Sequence, residues 1–104
     1  MRKLYVVKHT QDFEKIMSSG KCIKNRSFVV YYKDNELPYN RFGISVSKKL
    51  GNAVFRNKNK RTFRSIIDNY KKDYINGKDY IIILRKGAVD KSYQEWENDL
   101  ISLI

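Results

Sequence analysis

Arg56, Asn57, Lys58, Lys60, Arg61 and Arg64 form the strongest chemical signal in this 104-residue chain. Arginine offers a planar fork of donors that matches phosphate, and lysine a compact point charge. With Arg41, Lys48 and Lys49 they occupy Leu37 to Ile67, a segment without a single Asp or Glu. Its eight cations supply most of the net charge of +11. A field so focused draws in a polyanion, because releasing condensed counterions favours association. Groups for covalent chemistry are missing beside it. His9 stands alone near a terminus, and a protein nuclease needs paired carboxylates or a histidine-based acid–base pair. Asp68, Asp73 and Asp79 lack metal-ligand spacing, and Glu95, Glu97 and Asp99 suit the early part of a helix, where the dipole favours them. There is no glycine-rich phosphate loop. Cys22 is the only cysteine, which excludes a disulfide framework and a cysteine-rich zinc site. The expectation is binding, with no catalytic residue and no metal site on the protein.

A helical wheel at about 100° per residue divides the basic stretch. With Arg56 at zero, Lys60, Arg64, Asn57 and Arg61 fall at roughly 40, 80, 100 and 140°. Ile67, Phe63, Tyr70, Ile66 and Phe55 fill the adjoining arc, from roughly 20° back to 260°. Lys58 projects elsewhere, at roughly 200°. Like charges at i and i+4 repel, so Arg56, Lys60 and Arg64 weaken their own helix. A helix needing only solubility interleaves glutamates; a pure cationic stripe suits a polyanion lying along it. A basic amphipathic helix also fits a membrane surface or a calmodulin-type partner, but Phe63, Ile66 and Ile67 read as core.

The elements around this helix follow from periodicity. Thr10 caps a short helix with Phe13, Ile16 and Met17 on one face, ended by Gly20. Cys22 to Lys33 is extended, interrupted near Asn25, with Phe28, Val30 and Tyr32 on one face and Val29 and Tyr31 on the other. Arg41 to Ser47 alternates as a second strand and is expected to pair antiparallel with the first. The long helix runs from about Asn52 to Ile75, closed by Asn76-Gly77. Tyr80 to Leu84 reads as a strand buried on both faces. Ser92-Tyr93-Gln94-Glu95 matches a capping box and opens a last helix with Tyr93, Trp96, Leu100, Leu103 and Ile104 on one side. The order α-β-β-α-β-α predicts a single α+β domain over residues 1–104, a two-layer sandwich of helices on a small sheet. Charges at Arg2, Lys3, Lys8, Asp12, Glu14 and Lys15 leave no signal-peptide core, and Tyr80–Leu84 is too short to span a bilayer. The chain is therefore expected in the cytoplasm, with no membrane partner and no DNA.

The run Ser45-Val46-Ser47-Lys48-Lys49-Leu50-Gly51-Asn52-Ala53-Val54-Phe55-Arg56-Asn57-Lys58-Asn59-Lys60-Arg61 closely resembles the signature of the bacterial ribonuclease P protein subunit. That family carries S-K-K-x-G-x-A-V-x-R-N-R-x-K-R leading into a helix named for its R-N-R element. Asp12-Phe13, Asn25-Arg26-x-Phe28-Val29 and Asp79-Tyr80 to Arg85-Lys86 extend the likeness over nearly the whole chain. One departure stands out: Lys58 replaces the second arginine of R-N-R, keeping the charge and losing the bidentate fork.

The resemblance implies a protein that joins a large catalytic RNA to remove the 5′ leader from precursor tRNA. Hydrolysis falls to the RNA with Mg²⁺ held mainly by RNA, and the protein alone is inert. It implies an α-β-β-β-α-β-α order with a small mixed sheet and a left-handed βαβ crossover, one strand more than periodicity supplies. By matching positions, the catalytic RNA meets Lys49, Arg56, Asn57, Lys58, Lys60, Arg61 and Arg64. The leader of precursor tRNA lies in a cleft of Phe13, Met17, Val29 and Tyr31, edged by Ser47, Lys48, Arg85 and Lys86. Aromatics that stack on bases beside cations that follow phosphates suit a single strand. The same four cleft residues are also ordinary core types, and Met17 stands where the family often has phenylalanine. Two other readings stay open on the residues alone: a structural RNA-binding module, such as a ribosomal or assembly protein, and an autonomous RNA-cleaving enzyme.

Overall fold

The computed structural model describes Val7 and residues 10–70 and 77–103. Helix α1 (Thr10–Ser19) carries Asp12 in its first turn, where a carboxylate suits the helix dipole. It stops at Gly20, whose N–H donates to Ile16 O at 2.8 Å. A Cβ at Gly20 would stand 2.5 Å from that carbonyl and 2.6 Å from Tyr32 O, so only glycine fits the turn.

The extended run that follows is two strands, β1 (Lys21–Lys24) and β2 (Phe28–Asp34). The break near Asn25 thus conceals the third strand that periodicity alone missed. Asn25 Oδ1 accepts from Ser27 N and Phe28 N, both at 2.9 Å, the side-chain turn that asparagine favours. β1 pairs antiparallel with β2, Lys24 opposite Val29 and Cys22 opposite Tyr31.

Strand β3 (Arg41–Ser45) overturns the expected antiparallel partnership with β2. It pairs in parallel with β4 (Lys78–Leu84), and β4 pairs antiparallel with β2, giving the order β1-β2-β4-β3. The reason lies in β4 itself. Its continuous apolar run needs neighbours on both edges and cover on both faces, which only an inner position provides. Val46 and Ser47, expected within the strand, follow it: Val46 stays buried and Ser47 caps a 3₁₀ turn, Lys48–Leu50.

Asn52 Oδ1 accepts from Phe55 N at 3.0 Å and starts α2 (Ala53–Tyr70). The expected end at Ile75-Asn76 lies outside the described residues. Gly77 has φ +63°, the left-handed conformation glycine tolerates. Helix α3 (Tyr93–Ile101) opens on the predicted capping box with both reciprocal hydrogen bonds made. Its Tyr93 departs from expectation: it is 41% exposed rather than buried beside Trp96. The Tyr93 hydroxyl reaches Ser65 Oγ at 3.0 Å and Asn69 Nδ2 at 3.4 Å on α2. Ile104 lies outside the described residues.

The two faces of the sheet differ. On one, Phe28, Val30, Phe42, Ile82 and Leu84 pack with Phe63, Ile66 and Ile67 of α2 and Trp96 and Leu100 of α3. Phe63 and Trp96 rings meet at 5.1 Å between centroids; truncating such a buried aromatic to alanine costs about 3–5 kcal/mol. On the other, α1 lays Ile16 and Phe13 against Ile81, Tyr31 and Ile83. One short helix cannot cover the whole face, so Val29, Tyr31, Ile83 and Ser45 stay half-buried. Among the described residues, no helix is long and apolar enough to cross a membrane.

Candidate nucleic-acid interface

The cationic face is set at the start of α2. A Cβ at Gly51 would lie 2.4 Å from the Phe55 ring, so Gly51 lets that ring fold back against the main core. With Phe55 turned inward, the 3.6-residue repeat turns its neighbours outward. Asn57, Lys58, Arg61 and Arg64 are exposed, and Arg56 and Lys60 half-buried. Arg56 Nε is shielded from solvent and has no hydrogen-bond partner among the described residues. The Ser47 side chain accepts from Lys49 N at 3.2 Å, shaping the turn that displays Lys48 and Lys49.

Among the described residues the ion pairs are Arg41–Asp79 at 2.5 Å, Lys78–Asp34 at 3.2 Å and Lys91–Asp99 at 2.8 Å. None involves Lys48, Lys49 or a cation of α2. Arg41 belongs to the acid-free segment by sequence, yet its Nε and Nη2 both donate to Asp79. That hydrogen bond holds the guanidinium pKa above its ordinary value, against the opposing effect of burial. Arg41 is a neutralised structural residue, and the free positive field belongs to α2 and the turn before it.

The half-open sheet face carries the second candidate surface. Register places Lys24, Val29, Ile83 and Ser45 in one row across the four strands, and Cys22, Tyr31, Ile81 and Gly43 in the next. A Cβ at Gly43 would meet the Phe13 ring at 2.7 Å, so Phe13 sits directly on the second row. Phe13 is half-buried there, while Met17 on the same helix is 40% exposed. Because β3 and β4 run in parallel, their C-terminal ends lie side by side. The pairing ends at Ser45 opposite Ile83, so Ser47-Lys48 and Arg85-Lys86, all four exposed, both leave the sheet at this end. Arg85 Nη1 donates to Asn25 O at 2.8 Å, which ties this rim to the β1–β2 turn.

The fold thus gathers the eight residues expected at the leader cleft onto one face and one end of the sheet. The cationic face of α2 begins at that same end, with Lys48 and Lys49 between the two surfaces. Lys58 stays apart, as the wheel predicts. Ser45, Ile83 and Lys24 escape sequence reasoning although they share the open row. An unbroken apolar run such as Tyr80–Leu84 does not disclose which of its residues lacks cover.

The sequence model of the ribonuclease P family matches residues 1–104. The ribonuclease P protein component of Streptococcus agalactiae is 46% identical, over all of this chain and 94% of its own length. The structure of the Staphylococcus aureus ribonuclease P protein superimposes with TM-score 0.87 at 44% identity, covering 94% of this chain and 90% of that one. The Thermotoga maritima ribonuclease P protein gives TM-score 0.88 at 33% identity, covering 93% and 92%.

The chain belongs to the ribonuclease P protein family. It has the fold of that family and the subunit role in tRNA 5′ processing that goes with it. Membership implies partnership with the ribonuclease P RNA and precursor tRNA. The expectation that Mg²⁺ is held mainly by RNA bears on the acidic side chains of the described residues. No three His, Cys, Asp or Glu side chains among them come together to hold a metal. Hard divalent ions require such clustered oxygen ligands. His9 and Asp73 lie outside the described residues.

Proposed function

We propose that this ribonuclease P protein grips the catalytic RNA with Lys49, Arg56, Asn57, Lys58, Lys60, Arg61 and Arg64. It guides the precursor-tRNA leader across the half-open sheet face. The observation that carries this reading is the absence of carboxylate partners for every α2 cation among the described residues. Cations left unneutralised at the surface retain their full attraction for phosphate. Phe13, Met17, Val29 and Tyr31 offer apolar and aromatic surface to unstacked bases, and Ser47, Lys48, Arg85 and Lys86 receive the adjoining phosphates. Mg²⁺ is bound mainly by RNA in this scheme. The protein orients substrate on that RNA and supplies no acid, base or nucleophile. The working compartment is the cytoplasm.

The test combines protein, catalytic RNA and a 5′-extended precursor tRNA at low Mg²⁺. The expected result is accurate leader removal that requires the RNA and is stimulated by the protein. Arg61→Ala should weaken affinity for the catalytic RNA and lower the salt slope by about 1. Cleavage by protein alone would replace this scheme with an autonomous nuclease. Stimulation indifferent to Arg61 would remove the α2 face from it.

A further inference from the structure

Lys58 departs both from the α2 stripe and from the family's R-N-R element, and the fold gives it different company. It lines a cleft of about 310 Å³ between α2 and the start of α3, together with Phe55, Asn59, Lys91, Tyr93 and Trp96. That volume lies at the lower end of small-ligand sites, about 300–1,000 Å³. We infer that this cleft receives one unstacked nucleotide of the RNA partner, base against Tyr93 and phosphate on Lys58.

Three observations point to a nucleotide. Tyr93 presents an aromatic surface that is 41% exposed but not loose, because its hydroxyl is tied to Ser65 and Asn69 across the cleft's two helices. A ring held this way is a preorganised stacking platform. Asn59 is only 9% exposed and its Nδ2 donates to Phe55 O at 3.0 Å, yet no described residue donates to its Oδ1. Asn59 lines the cleft with its Nδ2 committed, so its Oδ1 is left to accept, and the N–H groups on the pairing edge of a base are donors of the right kind. Charge completes the set. Lys91 is committed to Asp99 and Ser27 at 2.8 Å, which leaves Lys58 as the cation without a carboxylate partner among the described cleft residues.

The site rests on the proposed RNA-binding role and deepens it. The stripe of Arg56, Lys60, Arg61 and Arg64 follows backbone phosphates, whereas the cleft on the other side of α2 holds a single base. Lysine in place of arginine fits this division, since a slender ammonium at the rim leaves room for the base that a guanidinium plane would crowd.

The test measures affinity of full-length variants for the catalytic RNA across a salt series, with nucleotide-resolution chemical probing of the complex. Tyr93→Ala should weaken binding about tenfold with its salt slope unchanged. It should also change the reactivity of one unpaired nucleotide. Tyr93→Phe, which keeps the ring but loses its tether to Ser65 and Asn69, should fall between wild type and Tyr93→Ala in affinity, and denaturant unfolding of each variant is the folding control. Lys58→Gln should lower the salt slope by about 1 and alter the same nucleotide. Asn59→Leu should weaken binding and expose that nucleotide again. If Tyr93→Ala binds and footprints like wild type while Arg61→Ala is impaired, the cleft assignment is wrong and the RNA-binding role stands. If neither variant changes anything, the role itself fails and the cleft assignment with it. Protection of the cleft by a protein partner, with the RNA footprint unmoved, also overturns the assignment.

Discussion

The cations at the two ends of the sheet behave in opposite ways. At the end where β3 and β4 begin, Arg41 is clamped by Asp79, Asp79 also accepts from Asn35 Nδ2 at 2.8 Å, and Lys78 reaches Asp34. At the end where those strands finish, Lys48, Lys49 and the α2 cations have no carboxylate partner among the described residues. One end uses charge to hold the register of a parallel strand pair, and the other leaves it open to an anion. The same residue types serve stability or recognition according to whether a carboxylate is built in beside them.

Removing the carboxylate from the paired end should produce the largest effect. Asp79→Ala strands a partly buried guanidinium, and loss of one partner from such a pair costs about 3–5 kcal/mol. Denaturant unfolding should register that loss, while RNA affinity per folded molecule stays unchanged. A large affinity loss in folded protein would erase the distinction between the ends.

Stripping the open end should do the reverse. The triple variant Arg56→Ala, Lys60→Ala, Arg64→Ala should reduce the salt slope of catalytic-RNA binding by about 3, near one per phosphate contact. Its folded state should become slightly more stable, because two i,i+4 repulsions of about 0.2–0.5 kcal/mol each disappear. A destabilised triple variant would mean that these cations have structural partners after all.

Between the ends, Tyr31→Ala should weaken leader-bearing substrate by about 1–3 kcal/mol if its ring stacks on a base. Leaderless tRNA should be unaffected, and equal losses for both would return Tyr31 to a packing role.

The smallest effect concerns the Asp99 anchor of the β1–β2 turn. Hydrogen bonds from Lys91 and Ser27 hold the Asp99 carboxyl below its ordinary value of 3.8. A depressed carboxyl contributes stability above its unfolded pKa and loses it as pH falls through the folded one. Unfolding followed below about pH 4 should therefore show a steeper acid loss in wild type than in Asp99→Asn.

Several features were legible before any tertiary information. The acid-free run from Leu37 to Ile67, the separation of Phe63, Ile66 and Ile67 from Arg61 and Arg64, and the Ser92–Glu95 box are all local patterns. Each depends on residues within a turn or two of one another, and the structure reproduces each. The odd position of Lys58 was equally visible, although the cleft beside it was not, because Tyr93 and Lys91 arrive from another helix.

Sequence by itself determined which sides of each element are apolar or cationic, where helices begin, and that charge is concentrated rather than spread. Tertiary structure alone decided that β4 separates β2 from β3, that Ile83 and Ser45 lie on the open row, and that Arg41 is neutralised. The physical reason is range. Periodicity encodes the face a residue occupies, whereas strand order and ion pairing join positions as distant as Arg41 and Asp79, and nothing local specifies that choice.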